Sequence, residues 1–180
     1  MTDIAIDYLM YSLPASQVWN QISAQAAANN EDRARRLLQA LDGADDAMIL
    51  FYQHKGLSNL ANAEGDSTNY GANGLPKSRQ NVRYTQMFAG AFMYASGNHI
   101  GIEWGSVGGP VSLDGVQTDA DGRYQSGRYF GWGLNHEIGH EINQGQYAIA
   151  EVTNNYYAQL AQSHDSTDTT RWGDYDNVYR

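Results

Sequence analysis

Two histidines and a glutamate in the segment His136-Glu137-Ile138-Gly139-His140 have the residue types and the spacing of a zinc site. Residues at positions i and i+4 lie on the same face of a helix, about one turn apart, so both imidazoles could bind one Zn²⁺ ion. Glu137 follows the first histidine, and its carboxylate would lie beside the metal, where it can take a proton from water without binding the ion. The segment therefore predicts a helix with zinc ligands His136 and His140 and a general base, Glu137. The alternative is a surface helix with two ordinary histidines.

A third protein ligand would complete the site and leave the fourth position open for water or a substrate carbonyl. Glu151 lies eleven residues after the second histidine and could supply that ligand. Three other acids are alternatives. Glu141 lies on the motif helix, but its rotation points its side chain away from the two histidines. Asp165 and Asp168 lie beyond the next predicted helix, so the chain would have to fold back to bring them to the metal.

The position of the third ligand also separates the classes of zinc peptidase. A metzincin has a glycine three residues after the second histidine and another histidine three residues further on. Asn143 and Gln146 occupy those positions, which excludes that class. An acid on a second helix, after a short connection, is the gluzincin arrangement. The sequence therefore favours Glu151 as the third ligand.

The composition excludes several other functions. The chain has 180 residues, enough for one domain with a sizeable core, and it has no cysteine, so a metal site has to use histidine and carboxylate ligands. The formal net charge of −9 argues against nucleic acid and against an anionic membrane surface as partners. No apolar run reaches transmembrane length, and residues 1–13 lack the basic-then-apolar pattern of a signal peptide. The chain is then either cytoplasmic or a mature piece of a longer secreted protein.

Apolar spacing predicts helices before and after a region of strands. Helices are predicted at residues 15–28, 30–41, 47–54, 130–143 and 149–162, and strands at residues 82–88, 91–94 and 99–104. Glu151 opens the last of these helices. Gly43 is expected to interrupt the second helix, and Gly145 to end the motif helix in the left-handed conformation. We predict an α+β fold with a small mixed sheet, a helical N-terminal part over about residues 1–80, and the sheet with the zinc-binding helices over residues 81–180.

Three segments of the sequence resemble the M60 (enhancin-like) peptidases. They are FMYASGNHIGI at residues 92–102, NHEIGH at residues 135–140 and EVTNN at residues 151–155. The resemblance covers roughly residues 82–160. Members of this family are zinc gluzincins that attack mucins and other O-glycosylated proteins. The resemblance implies a zincin-like catalytic domain in which His136, His140 and Glu151 bind zinc and Glu137 is the general base.

The resemblance also implies where a substrate would lie. Residues 95–104 would follow the cleft as an edge strand, which makes His99 and Gly101 candidate substrate contacts. A half-buried structural role is the alternative for His99. Asn155 is a further candidate for substrate contact, and with Asn154 it could hold the zinc ligands in place. The alternative is a helix whose asparagines are merely solvated. The group that would stabilise the oxyanion is left open between Tyr147, Tyr156, Tyr157 and His164.

We therefore expect a zinc-dependent endopeptidase that hydrolyses peptide bonds in mucin-type O-glycosylated proteins. A zinc-activated water would attack the peptide bond, and Glu137 would pass the water proton to the leaving amine. The expected partner is a glycoprotein or peptide substrate, with neither nucleic acid nor a membrane. The chain is expected to be a monomer and to be secreted or at the cell surface.

Two other functions and one question of extent stay open. The chain could be a non-catalytic glycan- or mucin-binding module with a vestigial zinc site, although an intact Glu137 argues against that. It could also be a zinc peptidase of unglycosylated peptides. M60 catalytic regions generally continue well beyond the acidic ligand, whereas this chain ends 29 residues after Glu151. We therefore expect residues 1–180 to be a single metallopeptidase catalytic domain from a longer protein.

Overall fold

The computed structural model describes residues 1–57, 74–76, 78–113, 116–118, 124–126 and 131–164. The strands are β1 (Thr2–Ala5), β2 (Leu9–Leu13), β3 (Gln80–Tyr84), β4 (Met93–Ala95), β5 (Ile100–Ile102), β6 (Val116–Thr118) and β7 (Tyr124–Ser126). The helices are α1 (Ala15–Ser23), α2 (Asn30–His54), α3 (Gly131–Ile142) and α4 (Thr153–His164), with a short 3-10 helix at Trp104–Ser106. Helices and strands are both present, which confirms the predicted α+β class. None of the described helices has both the length and the apolar character that a membrane crossing requires.

Five of the strands form one mixed sheet in the order β1-β2-β3-β5-β4. β1 and β2 are antiparallel, β3 is parallel to both β2 and β5, and β4 is antiparallel to β5. The parallel pair β2 and β3 needs a long crossover connection, and α1 and α2 lie within that stretch of chain. β4 lies at one edge of the sheet and contacts α3. β6 and β7 pair with each other in a separate antiparallel hairpin.

One face of the sheet packs against the helices to form the core. Leu9, Tyr11 and Leu13 of β2 are fully buried, because alternate side chains of a strand point to the same face. Leu134 and Ile138 of α3 belong to the same cluster and are also fully buried. α3 is therefore held to the core by its apolar side, which fixes the direction in which its polar side faces.

The N-terminal part is only partly helical, which corrects the expectation for residues 1–80. α1 and α2 lie in the predicted regions, but β1 and β2 add two strands to the sheet that β3 continues. These strands have four and five residues; β1 pairs with β2, and β2 pairs with β3 about seventy residues further along the chain. The alternation of Leu9, Tyr11 and Leu13 was the available signal.

Gly43 does not interrupt α2, which corrects a second expectation. The helix begins after Asn29, whose side chain accepts a hydrogen bond from the Asp32 backbone N–H at 2.9 Å, and it continues to His54. A glycine inside a helix costs about 1 kcal/mol relative to alanine. Here Gly43 is buried next to Ala44, and the packing of this side of α2 against the core outweighs that cost.

The edge strand is shorter than residues 95–104 and begins before them. β4, at the edge, is Met93–Ala95, whereas β5 lies inside the sheet between β3 and β4. Residues 95–104 therefore contain the end of the edge strand, a turn and an inner strand. This corrects the expectation that the whole segment is an edge strand, because hydrogen bonds to β3 cover the other side of β5.

Candidate metal centre

α3 carries both histidines of the HExxH motif on one side, as predicted. The imidazole rings of His136 and His140 are nearly perpendicular, at 83°, and their centroids are 4.9 Å apart. Both side chains are partly exposed. The apolar residues of α3 anchor the other side of the helix, so the two rings point together toward the start of α4.

Glu151 reaches the two histidines from the connection between the helices. Its Oε2 lies 3.0 Å from Nε2 of His136, and its Oε1 lies 3.1 Å from Nε2 of His140. The residue lies two positions before α4 begins, rather than within that helix as expected. Its φ of +62° is in the left-handed region, which is uncommon for residues other than glycine. The turn after Ile149, whose carbonyl accepts the Val152 and Thr153 N–H groups, holds this conformation.

The contacts of Asn155 determine which nitrogen of His136 faces Glu151. Asn155 Oδ1 lies 2.5 Å from Nδ1 of His136 and accepts its proton, and Asn155 Nδ2 donates to the backbone carbonyl of Glu151 at 2.6 Å. In the neutral ring, Nε2 of His136 then carries a lone pair rather than a proton. Asn155 therefore links His136 to the backbone of Glu151. Its role in holding zinc ligands stays a prediction.

The three groups form an arrangement that fits a metal cation. An imidazole lone pair and a carboxylate oxygen 3.0 Å apart repel each other unless a cation lies between them. Ligand atoms about 2.0 Å from one tetrahedral ion are separated by roughly 3.3 Å, close to the distances found here. The candidate ligand atoms of His136, His140 and Glu151 lie within 4.8 Å of one another. Two imidazole nitrogens and a carboxylate oxygen are a donor set that zinc accepts, so these residues could hold the ion.

Glu137 lies beside this cluster and is half-buried. Burial raises the pKa of its carboxyl group above the ordinary value, and the negative charge of Glu151 adds to that effect. His136, His140 and a hydrogen bond from the Ala95 backbone N–H oppose the rise. The contact with Ala95 connects Glu137 to the edge strand β4. No sequence pattern marks it, because the donor is a backbone group.

None of the rival acids is part of this cluster among the residues that the structure describes. Glu141 accepts a hydrogen bond from the Ser96 backbone N–H, and burial raises the pKa of its carboxyl group. It therefore points toward the end of β4, as the helical rotation predicted. Asp165 and Asp168 lie outside the described residues.

Of the two predicted substrate contacts on this segment, His99 lies directly before β5 and Gly101 lies within β5. Nε2 of His99 is 2.8 Å from Tyr94 Oη and 2.9 Å from Nη2 of Arg83, and its side chain is almost fully buried. Gly101 is covered by the ring of Tyr94, since a Cβ there would come within 2.1 Å of that ring. These contacts give both residues a packing role within the sheet. Their contact with a substrate stays a prediction.

The candidates for the oxyanion contact differ in what surrounds them. Tyr157 is buried and packs edge-on against Phe51, with ring centroids 5.5 Å apart. Tyr156 is exposed but stacks on His54 at 4.7 Å, and Tyr147 is exposed in the connection before Glu151. The side chain of His164 lies outside the described residues. The exposed side chains of Tyr147 and Tyr156 are therefore free to approach a ligand, whereas the buried side chain of Tyr157 is not.

The fold is similar to several solved metallopeptidase structures. The ZmpB metallopeptidase from Clostridium perfringens superposes with a TM-score of 0.64 at 22% identity, over 97% of this chain and 28% of that one. The M60 catalytic domain of Clostridium perfringens ZmpC, solved in complex with the sialyl T antigen, superposes with a TM-score of 0.60 at 21% identity, over 96% of this chain and 28% of that one. A conserved protein of unknown function from Bacillus anthracis gives 0.66 at 19% identity, over 98% of this chain and 32% of that one.

These likenesses show a zincin-like fold. At this level of identity they do not extend to activity, and the chain spans only about three tenths of the length of the solved chains it matches. No protein-family model matches the chain, and no curated protein matches it. The structural neighbours include M60 metallopeptidase domains, so the fold agrees with what the sequence resemblance implied. The cluster of His136, His140 and Glu151 agrees with it as well.

Proposed function

We propose that this chain is the catalytic part of a zinc-dependent endopeptidase of the gluzincin type. The observation that carries the proposal is the convergence of His136, His140 and Glu151 on one point, with the half-buried carboxylate of Glu137 beside it. A purely structural zinc site has no use for a second, non-ligating carboxylate beside that of Glu151. The exposure of the Glu151 side chain, at 68%, leaves the same point open to a substrate.

Different residues of the chain would bind the metal, transfer the proton and orient the ligands during peptide hydrolysis. A zinc ion held there would supply a water of pKa about 7 and a Lewis acid for the scissile carbonyl. Glu137 accepts the proton of the attacking water and delivers it to the leaving amine. A hydrogen bond from the Ala95 N–H holds its carboxylate in place. Asn155 keeps the His136 ring in the orientation and tautomer that ligation needs.

We further propose that the substrate is a protein with mucin-type O-glycans, cleaved outside the cell by a monomeric enzyme. The support is the sequence resemblance and the structural neighbour ZmpC, which was solved with the sialyl T antigen. Exposed aromatic side chains near β4 offer flat apolar surfaces for sugar rings: Phe88, Phe92 and Trp104. Asn155 lies at the metal centre and is a candidate contact for the peptide. Contacts of His99 and Gly101 with the peptide belong to the same proposal.

The test incubates the zinc-loaded protein with a mucin-type glycoprotein, before and after enzymatic removal of its O-glycans, and maps the cuts by mass spectrometry. We expect cuts next to glycosylated residues, loss of cleavage with a metal chelator, and little or no cleavage of the deglycosylated protein. Equal cleavage of the glycosylated and the deglycosylated protein would contradict the glycopeptidase proposal and favour a general zinc peptidase. Glycan binding without any cleavage, in a protein that holds zinc, would favour the binding module.

A further inference from the structure

α3 and α4 touch backbone to backbone at Gly139, the fourth residue of the HExxH motif. A Cβ atom on Gly139 would lie 2.5 Å from the carbonyl oxygen of Asn154, 2.8 Å from its Cα and 2.9 Å from its Cβ. Real Cβ atoms essentially never come within 3.0 Å of another heavy atom, and two of these three neighbours are backbone atoms that cannot rotate away. The observed approach of the two helices therefore requires glycine at this position.

This contact lies in the middle of the candidate ligand set. Gly139 directly precedes His140, and Asn154 lies three residues after Glu151 and directly before Asn155. A displacement of α4 away from α3 at this point would carry Glu151 and Asn155 with it. The separations of 3.0 and 3.1 Å between the glutamate oxygens and the imidazole nitrogens would then increase. The helix spacing at Gly139 thus sets the geometry of the metal centre.

The side chain of Asn154 makes a second contribution. It is fully buried, and its Nδ2 lies 2.9 Å from Nε2 of His140 and 3.0 and 3.2 Å from Nε2 and Nδ1 of His136. Nearly equal distances to both nitrogens of one ring place the amide against the face of the His136 imidazole. Its Oδ1 is buried, and no described group donates a hydrogen bond to it. An unsatisfied buried oxygen costs stability, so the contribution of Asn154 lies in the contacts of its Nδ2 with the two imidazoles.

We propose that Gly139 and Asn154 are a pair of positioning residues for the metal centre. Gly139 allows α4 to approach closely enough for Glu151 to meet the histidines, and the Asn154 amide fixes the angle between the two imidazoles. The inference rests on the proposed zinc site, and it concerns two residues that neither bind the ion nor touch the reacting atoms.

The main test compares Gly139→Ala with Gly145→Ala. Gly145 lies in the connection between the same two helices, its φ is not in the left-handed region, and no described atom lies within 4 Å of a Cβ placed there. This also corrects the expectation of a left-handed Gly145 at the end of the motif helix. For each variant, zinc affinity is measured by competition with a chelator, the absorption spectrum of the Co²⁺-loaded protein reports ligand geometry, and thermal unfolding is followed without metal.

We expect Gly139→Ala to bind zinc about 10- to 100-fold more weakly and to change the Co²⁺ spectrum, because groups that support metal ligands have effects of this size. Gly145→Ala should match the parent in both measurements. Alanine favours helix more than glycine, so without the clash Gly139→Ala would only stabilise α3. A folded Gly139→Ala with parental zinc affinity overturns the proposal. Failure of this variant to fold also overturns it, since the contact would then determine the fold rather than the site.

Asn154→Ala tests the second half, because it keeps the backbone contact and removes the amide. We expect about 10- to 100-fold weaker zinc binding and an altered Co²⁺ spectrum, with little change in metal-free stability. Met48→Ala, a fully buried core substitution in α2, is the control for general destabilisation and should lower the melting temperature without changing zinc affinity. If Asn154→Ala and Met48→Ala behave alike, the positioning role of the amide is wrong. A parent that binds no zinc refutes the proposed function itself, which separates the two failures.

Discussion

Among the described residues, His99 and the pair His136 and His140 each form a hydrogen-bonded cluster, and the two clusters differ in where the polar atoms point. At His99 each ring nitrogen has a partner on the sheet or in the turn that precedes β5. Nε2 meets Tyr94 Oη and the Arg83 guanidinium, and Nδ1 lies 2.6 Å from Asn98 Oδ1. The side chain is only 7% exposed. This cluster is closed, since both ring nitrogens have hydrogen-bond partners within the protein and the residue is largely buried.

The cluster at His136 and His140 is open. Asn155 occupies Nδ1 of His136 in the same way as Asn98 occupies Nδ1 of His99. On the other side of the ring, however, Nε2 lies 3.0 Å from a carboxylate oxygen of Glu151, whose second oxygen lies 3.1 Å from Nε2 of His140. The comparison indicates what marks a histidine as a candidate metal ligand: its second ring nitrogen lies close to other groups that can donate a lone pair to a cation. Residue type and burial alone do not make that distinction.

The largest expected effect comes from Glu137→Gln. This substitution removes the proposed general base of the open cluster and leaves its three candidate metal ligands intact. Glutamine still accepts the Ala95 N–H but cannot take a proton from water. We expect the rate of peptide cleavage to fall about 10²- to 10⁴-fold, as is typical for loss of a general base. Elemental analysis should give the same zinc content as the parent. A variant that cuts at the parental rate, or that loses its zinc, contradicts the role given to Glu137.

Substitution of Glu151 should have the next largest effect, on zinc affinity. Glu151→Ala and Glu151→Gly should both weaken zinc binding by more than the factor of about 100 that supporting residues produce, because a ligand is lost. Glycine adopts the left-handed conformation without strain, so the metal-free Glu151→Gly protein should be more stable than Glu151→Ala by about 1 kcal/mol. Chelator competition and urea unfolding measure the two quantities.

Glu141→Ala is the matched control for this experiment, since Glu141 lies on the motif helix and bonds to the Ser96 backbone. It should retain parental zinc affinity. Asp165→Ala and Asp168→Ala complete the set of rival acids. If any of these three variants loses zinc while Glu151→Ala keeps it, the gluzincin assignment has to be abandoned.

The sequence predicts the first half of the metal centre better than the second half, for a physical reason. His136, Glu137 and His140 belong to one helix, so their relation follows from the helical repeat alone. The backbone conformation of Glu151 is set by a turn and by contact with α3, and no local pattern marks a non-glycine residue with positive φ. Glu151 was identified as a ligand candidate, but it was expected inside a helix.

The fold shows the same division between local and distant causes. The regions of α1, α3 and α4 follow from apolar spacing, which is a local property. β2 was missed because its partner β3 is far away in the chain, and β1 depends in turn on its pairing with β2. The continuity of α2 through Gly43 depends on core packing. Gly139 has no sequence signal beyond its presence in the motif, because its role exists only once α4 packs against it.

A direct comparison of the two clusters is available through Asn155→Ala and Asn98→Ala. Each substitution removes an amide oxygen that accepts from Nδ1 of a histidine, at 2.5 Å from His136 and 2.6 Å from His99. Asn155→Ala should weaken zinc binding about 10- to 100-fold, because the orientation and tautomer of a ligand are no longer fixed. Asn98→Ala should leave zinc affinity at the parental value. An equal loss of zinc affinity in the two variants would show that the His99 cluster and the His136 cluster do not differ in the way proposed.

The smallest expected effect is a change in how stability depends on pH, and it tests whether the His99 cluster is closed. Burial, and then the positive charge of Arg83, lower the pKa of His99 below its ordinary value. An unfolded histidine titrates near pH 6.5, so below that pH the unfolded chain binds a proton that the folded protein does not. The stabilising contribution is therefore fully present above about pH 6.5 and is lost as the pH falls from there toward the lower pKa of the folded state.

His99→Gln should remove this part of the pH dependence, because glutamine can bond to the same neighbours and has no proton to gain. The free energy of unfolding is measured without metal at pH 7.5 and pH 5.5 for both proteins. The parent should lose more stability on acidification than the variant, by at most about 1.4 kcal/mol for each pH unit. The other histidines are common to both proteins and cancel in the difference. Cleavage by zinc-loaded His99→Gln tests the proposed peptide contact separately. A raised KM supports that contact, whereas the parental KM would leave His99 with its packing role alone.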